Sequence, residues 1–146
     1  MRTHLSIMTI MLIFFTAHHA IAHCQIPCGI YDDQLRIELM EEHAGTIKKS
    51  IHQIRTATVP AQQVRWTLNR ENHADELTEI VVHYFLTQRI KKSSPDYEKT
   101  VVILHQMMQQ IMRCKQNEDI AQADQLLEMI HAFEHLYLKD KAKHSH

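Results

Sequence analysis

Residues 23–31 read His23-Cys24-Gln25-Ile26-Pro27-Cys28-Gly29-Ile30-Tyr31, directly after Ala20-Ile21-Ala22, which has the small-x-small form of a signal-peptidase site. Cleavage there makes His23 the first residue, and one short peptide then offers an α-amine, an imidazole and two thiols. The chemistry depends on that cut. Inside a longer chain the His23 nitrogen is an amide and a poor donor; once freed it is a primary amine with a pKa of about 8. The amine and the Cys24 thiolate flank the His23–Cys24 amide, so a metal held by both can displace the amide proton and close two five-membered chelate rings. Cys28 completes a plane of amine N, amide N and two thiolate S, and the His23 imidazole can reach an axial position. Planar N/S coordination suits Ni(II) or Cu(II), whereas zinc prefers a tetrahedron. Strongly donating thiolates and an anionic amide lower the potential of a metal couple, which brings a Ni(II)/Ni(III) cycle within reach.

The spacing serves the same end. Pro27 fixes its own φ and moves Ile26 out of the α region, and Gly29 permits a sharp turn after Cys28. The peptide can hook back and bring both sulfurs to one ion. A Cys24–Cys28 disulfide is the competing reading, because exported thiols meet oxidants. It requires neither His23 in first place nor the flanking Pro27 and Gly29.

His-Cys-x-x-Pro-Cys-Gly-x-Tyr at a processed N-terminus resembles the nickel hook of the nickel-containing superoxide dismutases. Similarity to the cyanobacterial and marine-type members continues through Asp32-Asp33-Gln34-Leu35-Arg36-Ile37-Glu38, Val64-Arg65-Trp66, Glu71-Asn72-His73-Ala74 and Tyr84-Phe85-Leu86-Thr87-Gln88-Arg89-Ile90-Lys91. After about Lys92 only general helical character is left. The resemblance implies an enzyme that converts two superoxide ions and two protons to dioxygen and hydrogen peroxide, with one nickel ion per chain alternating between Ni(III) and Ni(II). It implies that His23, Cys24 and Cys28 hold the metal and that Tyr31 lines the access route. Glu38 would hydrogen-bond the axial imidazole and so orient a ligand. The stretch from Tyr31 to Glu38 is one residue shorter than in the actinobacterial members, and taken alone Glu38 also reads as a solvated helix carboxylate. His73 falls about where those members carry an arginine that supports this glutamate. Tyr84 matches a second tyrosine beside the nickel, and its place on an apolar stripe fits plain core as well. Gln25 stands where some members have an acidic residue. The resemblance further implies a homohexamer, with each hook braced by a neighbour.

Such a hook needs a scaffold. Met1 to Ala22 reads as a leader, with Arg2 as its positive end and an apolar run from Leu5 to Ala17 that is too short for a comfortable membrane span. It predicts export to the periplasm or the outside of a bacterium, with no membrane contact once it is removed. An uncleaved anchor is the competing reading of the leader, and cytoplasmic processing by a dedicated protease, known for some members, is the alternative location. Residues 23–146 suffice for one domain with a modest core. Lys and Arg number 16 against 17 Asp and Glu, a near-neutral balance that gives no reason to expect a nucleic-acid partner. Two glycines and three prolines in 146 residues point to long regular elements, and the weight of Glu, Gln, Lys, Leu, Ile, Met and Ala points to helices.

Four helices are predicted, forming an all-α antiparallel four-helix bundle preceded by the hook. The first, capped by Asp32 or Asp33, runs to about Thr56 with Leu35, Leu39, Ile47, Ile51 and Ile54 inward. The second spans about Ala61 to Arg89, with Val64, Leu68, Leu77, Ile80, Val81 and Tyr84 on its stripe. Ser94 and Pro95 are expected to open the third, which carries Val101, Leu104, Met108, Ile111 and Met112. After a turn near residues 115–118 the fourth carries Ile120, Ala123, Leu127, Ile130, Phe133 and Tyr137, followed by a polar tail. Cys114 reads as a small core residue. His131 and His135 share a helix face but read as surface residues. Glu128-Met129-Ile130-His131 lacks the second Glu-x-x-His that a di-iron bundle requires. A non-enzymatic exported module that carries nickel or copper on its N-terminal loop is the alternative to the enzyme.

Overall fold

The computed structural model describes residues 32–94 and 96–144, with side chains as far as Lys139. The leader 1–22 and the hook 23–31 lie outside the described residues. The chain order is α1 (Asp33–Thr56), α2 (Pro60–Glu79) running without a break into a π-helical segment (Ile80–Arg89), α3 (Tyr97–Gln116) and α4 (Ile120–His144). Helix α1 starts where it does because Asp32 is extended and its carboxylate accepts the Gln34 N–H at 2.8 Å, a side-chain N-cap. It stops at Ala57, and a short extended link leads to Pro60, the first residue of α2. A proline is tolerated there because the first turn of a helix has no use for its missing N–H.

The buried residues recur at helical spacing: Ile37, Met40, Ala44, Ile47 and Ile51 on α1; Leu104, Met107, Ile111 and Cys114 on α3; Ala123, Leu126, Ile130 and Phe133 on α4. Cross-links between helices fix their directions. Gln34 at the start of α1 donates to Glu134 near the end of α4 at 3.0 Å, and Lys48 further along α1 pairs with Asp124 near the start of α4 at 2.6 Å. Asn69 on α2 donates to Ser50 on α1 at 2.9 Å, and His73 meets His43. Lys115, at the end of α3, reaches Asp75 on α2 at 2.6 Å. The bundle is antiparallel, as expected. Among the described residues no helix is long and apolar enough to cross a membrane.

Three expectations are corrected. Val64 and Leu68 do not share the inward stripe of Leu77; they are 59% and 57% exposed. Leu68 and Leu77 are nine residues apart, which at about 100° per residue sets them on opposite sides of a helix. Leu35 is likewise 49% exposed and Met112 58%, while Ile37, Met40 and Met107 take the inward places. Helix α3 does not open on Ser94 as its cap. Asp96 holds that position, with its backbone carbonyl accepting both the N–H and the hydroxyl of Thr100, and the helix starts at Tyr97. Pro95 lies outside the described residues.

Candidate functional site

Asp33 is the second described residue, two positions after Tyr31, and it is only 4% exposed. Because Asp32 performs the capping, the Asp33 carboxylate is free to turn inward, and three side chains converge on it. The Tyr84 hydroxyl donates to Oδ1 at 2.5 Å, the Tyr137 hydroxyl donates to Oδ2 at 2.9 Å, and the Arg89 Nε lies 2.9 Å from Oδ1 as an ion pair. Arg89 Nη2 in turn donates to the Tyr84 oxygen at 2.9 Å. The Arg89 guanidinium also stands over the Tyr84 ring, 4.9 Å from its centroid, with that of Arg36 at 5.5 Å. Below this polar group lies an aromatic floor: Phe85 meets Phe133 edge-on at 4.8 Å and Tyr137 at 5.4 Å. The floor keeps water off the carboxylate, so its tyrosine and arginine partners carry the compensation for burying its charge.

The π-helical segment makes this convergence possible. In an α-helix, residues five apart are about 140° out of register. The wider i→i+5 winding stacks them on one face, and so Tyr84 and Arg89 can meet. The side chains reinforce the winding. Thr87 Oγ1 donates to the Val82 carbonyl and Gln88 Nε2 to that of His83, both five residues back and both at 2.7 Å, and Ile90 N–H closes the segment on Phe85. Burial is the main reason that both tyrosines titrate above their ordinary range, and hydrogen bonding to the Asp33 carboxylate adds to it. Both hydroxyls therefore keep their protons well beyond neutral pH.

The remaining sequence-derived candidates fall as follows. His23, Cys24, Gln25, Cys28 and Tyr31 lie outside the described residues. Glu38 is an exposed residue of α1 whose carboxylate takes a long contact of 3.5 Å from the Gln34 amide. His73 is not beside Glu38. It faces His43, and both imidazoles converge on Glu76. Tyr84 is buried, at 6% exposure, in the Asp33 network. Cys114 is an apolar core residue as expected, its thiol pushed up to about 11 by burial. His131 and His135 are exposed, with His131 3.2 Å from Glu41. Reading the sequence alone missed the joint role of Asp33, Arg89 and Tyr137. Their one signal was two adjacent aspartates where a single cap suffices.

The model of the family "Nickel-containing superoxide dismutase" matches residues 18–141. The chain belongs to the nickel-containing superoxide dismutase family. Two solved nickel superoxide dismutases agree with it in fold. A native structure superposes with a TM-score of 0.70 at 20% identity, covering 82% of this chain and 99% of that one. A structure whose nickel ligation corresponds to the state after partial X-ray-induced reduction gives a TM-score of 0.71 at 18% identity over the same shares. No curated protein sequence matches the chain. The family membership makes the chain a nickel-dependent superoxide dismutase, an oxidoreductase, and the Asp33 network lies at the start of α1 in this dismutase.

Proposed function

We infer that the dismutase disproportionates superoxide at a nickel ion held by His23, Cys24 and Cys28 on an N-terminus released by cleavage after Ala22. The family match carries the reading, since it takes in the hook sequence and the bundle together. The donor set fits nickel: two soft thiolates, an amine and an amide nitrogen favour a planar d-block ion. Bound there, nickel supplies the one-electron couple that organic side chains lack. The chain's own residues do the rest. Tyr31 lines the approach. Glu38 keeps an open, ionisable carboxylate on the first turns of α1, available to orient the His23 imidazole. Asp33, two positions after Tyr31, is tied to Tyr84, Arg89 and Tyr137 and fixes the start of α1. The Tyr84 and Tyr137 hydroxyls, committed to Asp33 and holding their protons well beyond neutral pH, do not supply the protons consumed. Exposed apolar residues such as Val64 and Leu68 support assembly into a homohexamer, and the leader supports export.

The test is intact mass, metal content and superoxide consumption of the natively processed protein. A chain starting at His23 with one nickel, active, and inactive as Cys24→Ser or Cys28→Ser, is the expected result. A chain that starts elsewhere, or one lacking nickel and two protons light from a Cys24–Cys28 disulfide, overturns it.

A further inference from the structure

His43 on α1 and His73 on α2 face each other with their Nδ1 atoms 2.8 Å apart. Glu76, one turn beyond His73, brings a carboxylate oxygen 3.3 Å from His43 Nδ1 and 3.7 Å from His73 Nδ1. Three potential ligand atoms thus lie within 4.8 Å of one another. Two bare imidazole nitrogens at this separation repel. Either one of them carries a proton and donates to the other, or both lone pairs share a cation. A tetrahedral ion with ligands at about 2.0–2.1 Å has edges of about 3.3 Å, a value that the three separations bracket. The imidazoles are the more buried members, with side chains 15% and 26% exposed, while the Glu76 side chain is 57% exposed and leaves an open side for entry and for a water ligand. Burial, the main influence on His43, pushes its pKa below the ordinary 6.5; His73 opposes its charge as well, while Glu76 and Glu42 favour it. The donors belong to two helices 30 residues apart in sequence and include none of the hook residues.

We propose that His43, His73 and Glu76 form a second metal site, which takes a divalent ion of the Zn2+ class and ties α1 to α2. Two imidazoles, one carboxylate and a water make a donor set that suits zinc in a tetrahedral arrangement. The ion removes the lone-pair conflict between the rings and neutralises the carboxylate beside them. Because it binds only where the two helices are packed together, it stabilises the fold by mass action.

The experiment uses the full chain with Cys24→Ser and Cys28→Ser, so that the hook thiolates cannot take the added metal and the outcome does not depend on the nickel reading. Zn2+ is titrated against a chromophoric chelator and Co2+ is followed by its visible absorption. One tight equivalent is expected, with tetrahedral Co2+ bands, no sulfur charge-transfer band and a rise in Tm on adding Zn2+. His73→Gln should weaken binding at least tenfold and remove the Tm rise. Glu76→Gln, at an exposed position that cannot unfold the bundle, should weaken binding in the same direction. Absence of a tight equivalent, or unchanged Zn2+ affinity in both variants at full helicity, overturns the proposal.

Discussion

Asp33 at the start of α1 and Glu76 on α2 are both carboxylates, and the fold treats them in opposite ways. Around Asp33 every acceptor meets a donor: two tyrosine hydroxyls and an arginine on a carboxylate that is 4% exposed, over a sealed aromatic floor. Around Glu76 two imidazole nitrogens and a carboxylate oxygen converge with one side open, and only a proton or a cation between them satisfies all three. The first arrangement has its protons assigned and gains nothing from a visitor. The second has a deficit of positive charge that a proton or a metal ion can fill. Burial alone does not mark a binding site; the balance of donors and acceptors does.

The largest effect should come from breaking the sealed side. Asp33→Ala leaves Arg89 facing a buried gap and should lower stability by about 3–5 kcal/mol in denaturant unfolding. A loss below about 1 kcal/mol would mean that the network is ornamental. Next comes Tyr137→Phe, which keeps the ring in the aromatic floor and removes one hydrogen bond to a charged group; a loss of about 1.5–3 kcal/mol is expected. On the open side, Glu76→Gln in metal-free protein should change stability by no more than about 0.5 kcal/mol. A large loss there would place Glu76 in the same class as Asp33.

Titration separates the two regions most finely. Tyr84 and Tyr137 are raised above the ordinary 10.0, so their contribution is complete below about that pH and is lost as pH climbs through their folded values. His43 is lowered from 6.5, so its contribution is complete above about pH 6.5 and declines as pH falls toward its folded value. Stability curves should therefore bend at the alkaline end in a Tyr137-dependent way and at the acid end in a His43-dependent way. A His43→Asn chain that keeps the acid bend would break the assignment.

Much of the bundle was legible because burial repeats with the helix: α1 ends at Thr56, Pro60 opens α2, and Leu104, Ile111, Ile130 and Phe133 are inward as their spacing implies. Val64 and Leu68 were misplaced because apolar side chains also occur on exposed helix faces, and only the phase relative to Leu77 tells the two apart. The proposed hook donors could be read from sequence because they lie within a few residues of one another, and they fall outside the described residues. The Asp33 network could not be, since its members come from positions 33, 84, 89 and 137 and the link between Tyr84 and Arg89 requires a winding that residue preferences do not announce. His43 escaped notice for the same reason, having its partner on another helix.

The wide winding of residues 80–89 also changes what kinds of mutation the protein can tolerate. In an ordinary surface helix most single substitutions pass with little consequence. Here the length of the segment and its winding are coupled. At the present spacing of five, ordinary α-helical turns would set Tyr84 and Arg89 about 140° apart, whereas deleting one residue between them would give the α-helical spacing of four and keep the two on one face. Variants that keep the length but impose ordinary α-helical turns should therefore lose the Tyr84–Arg89 contact, while those that also shorten the stretch by one residue should keep it.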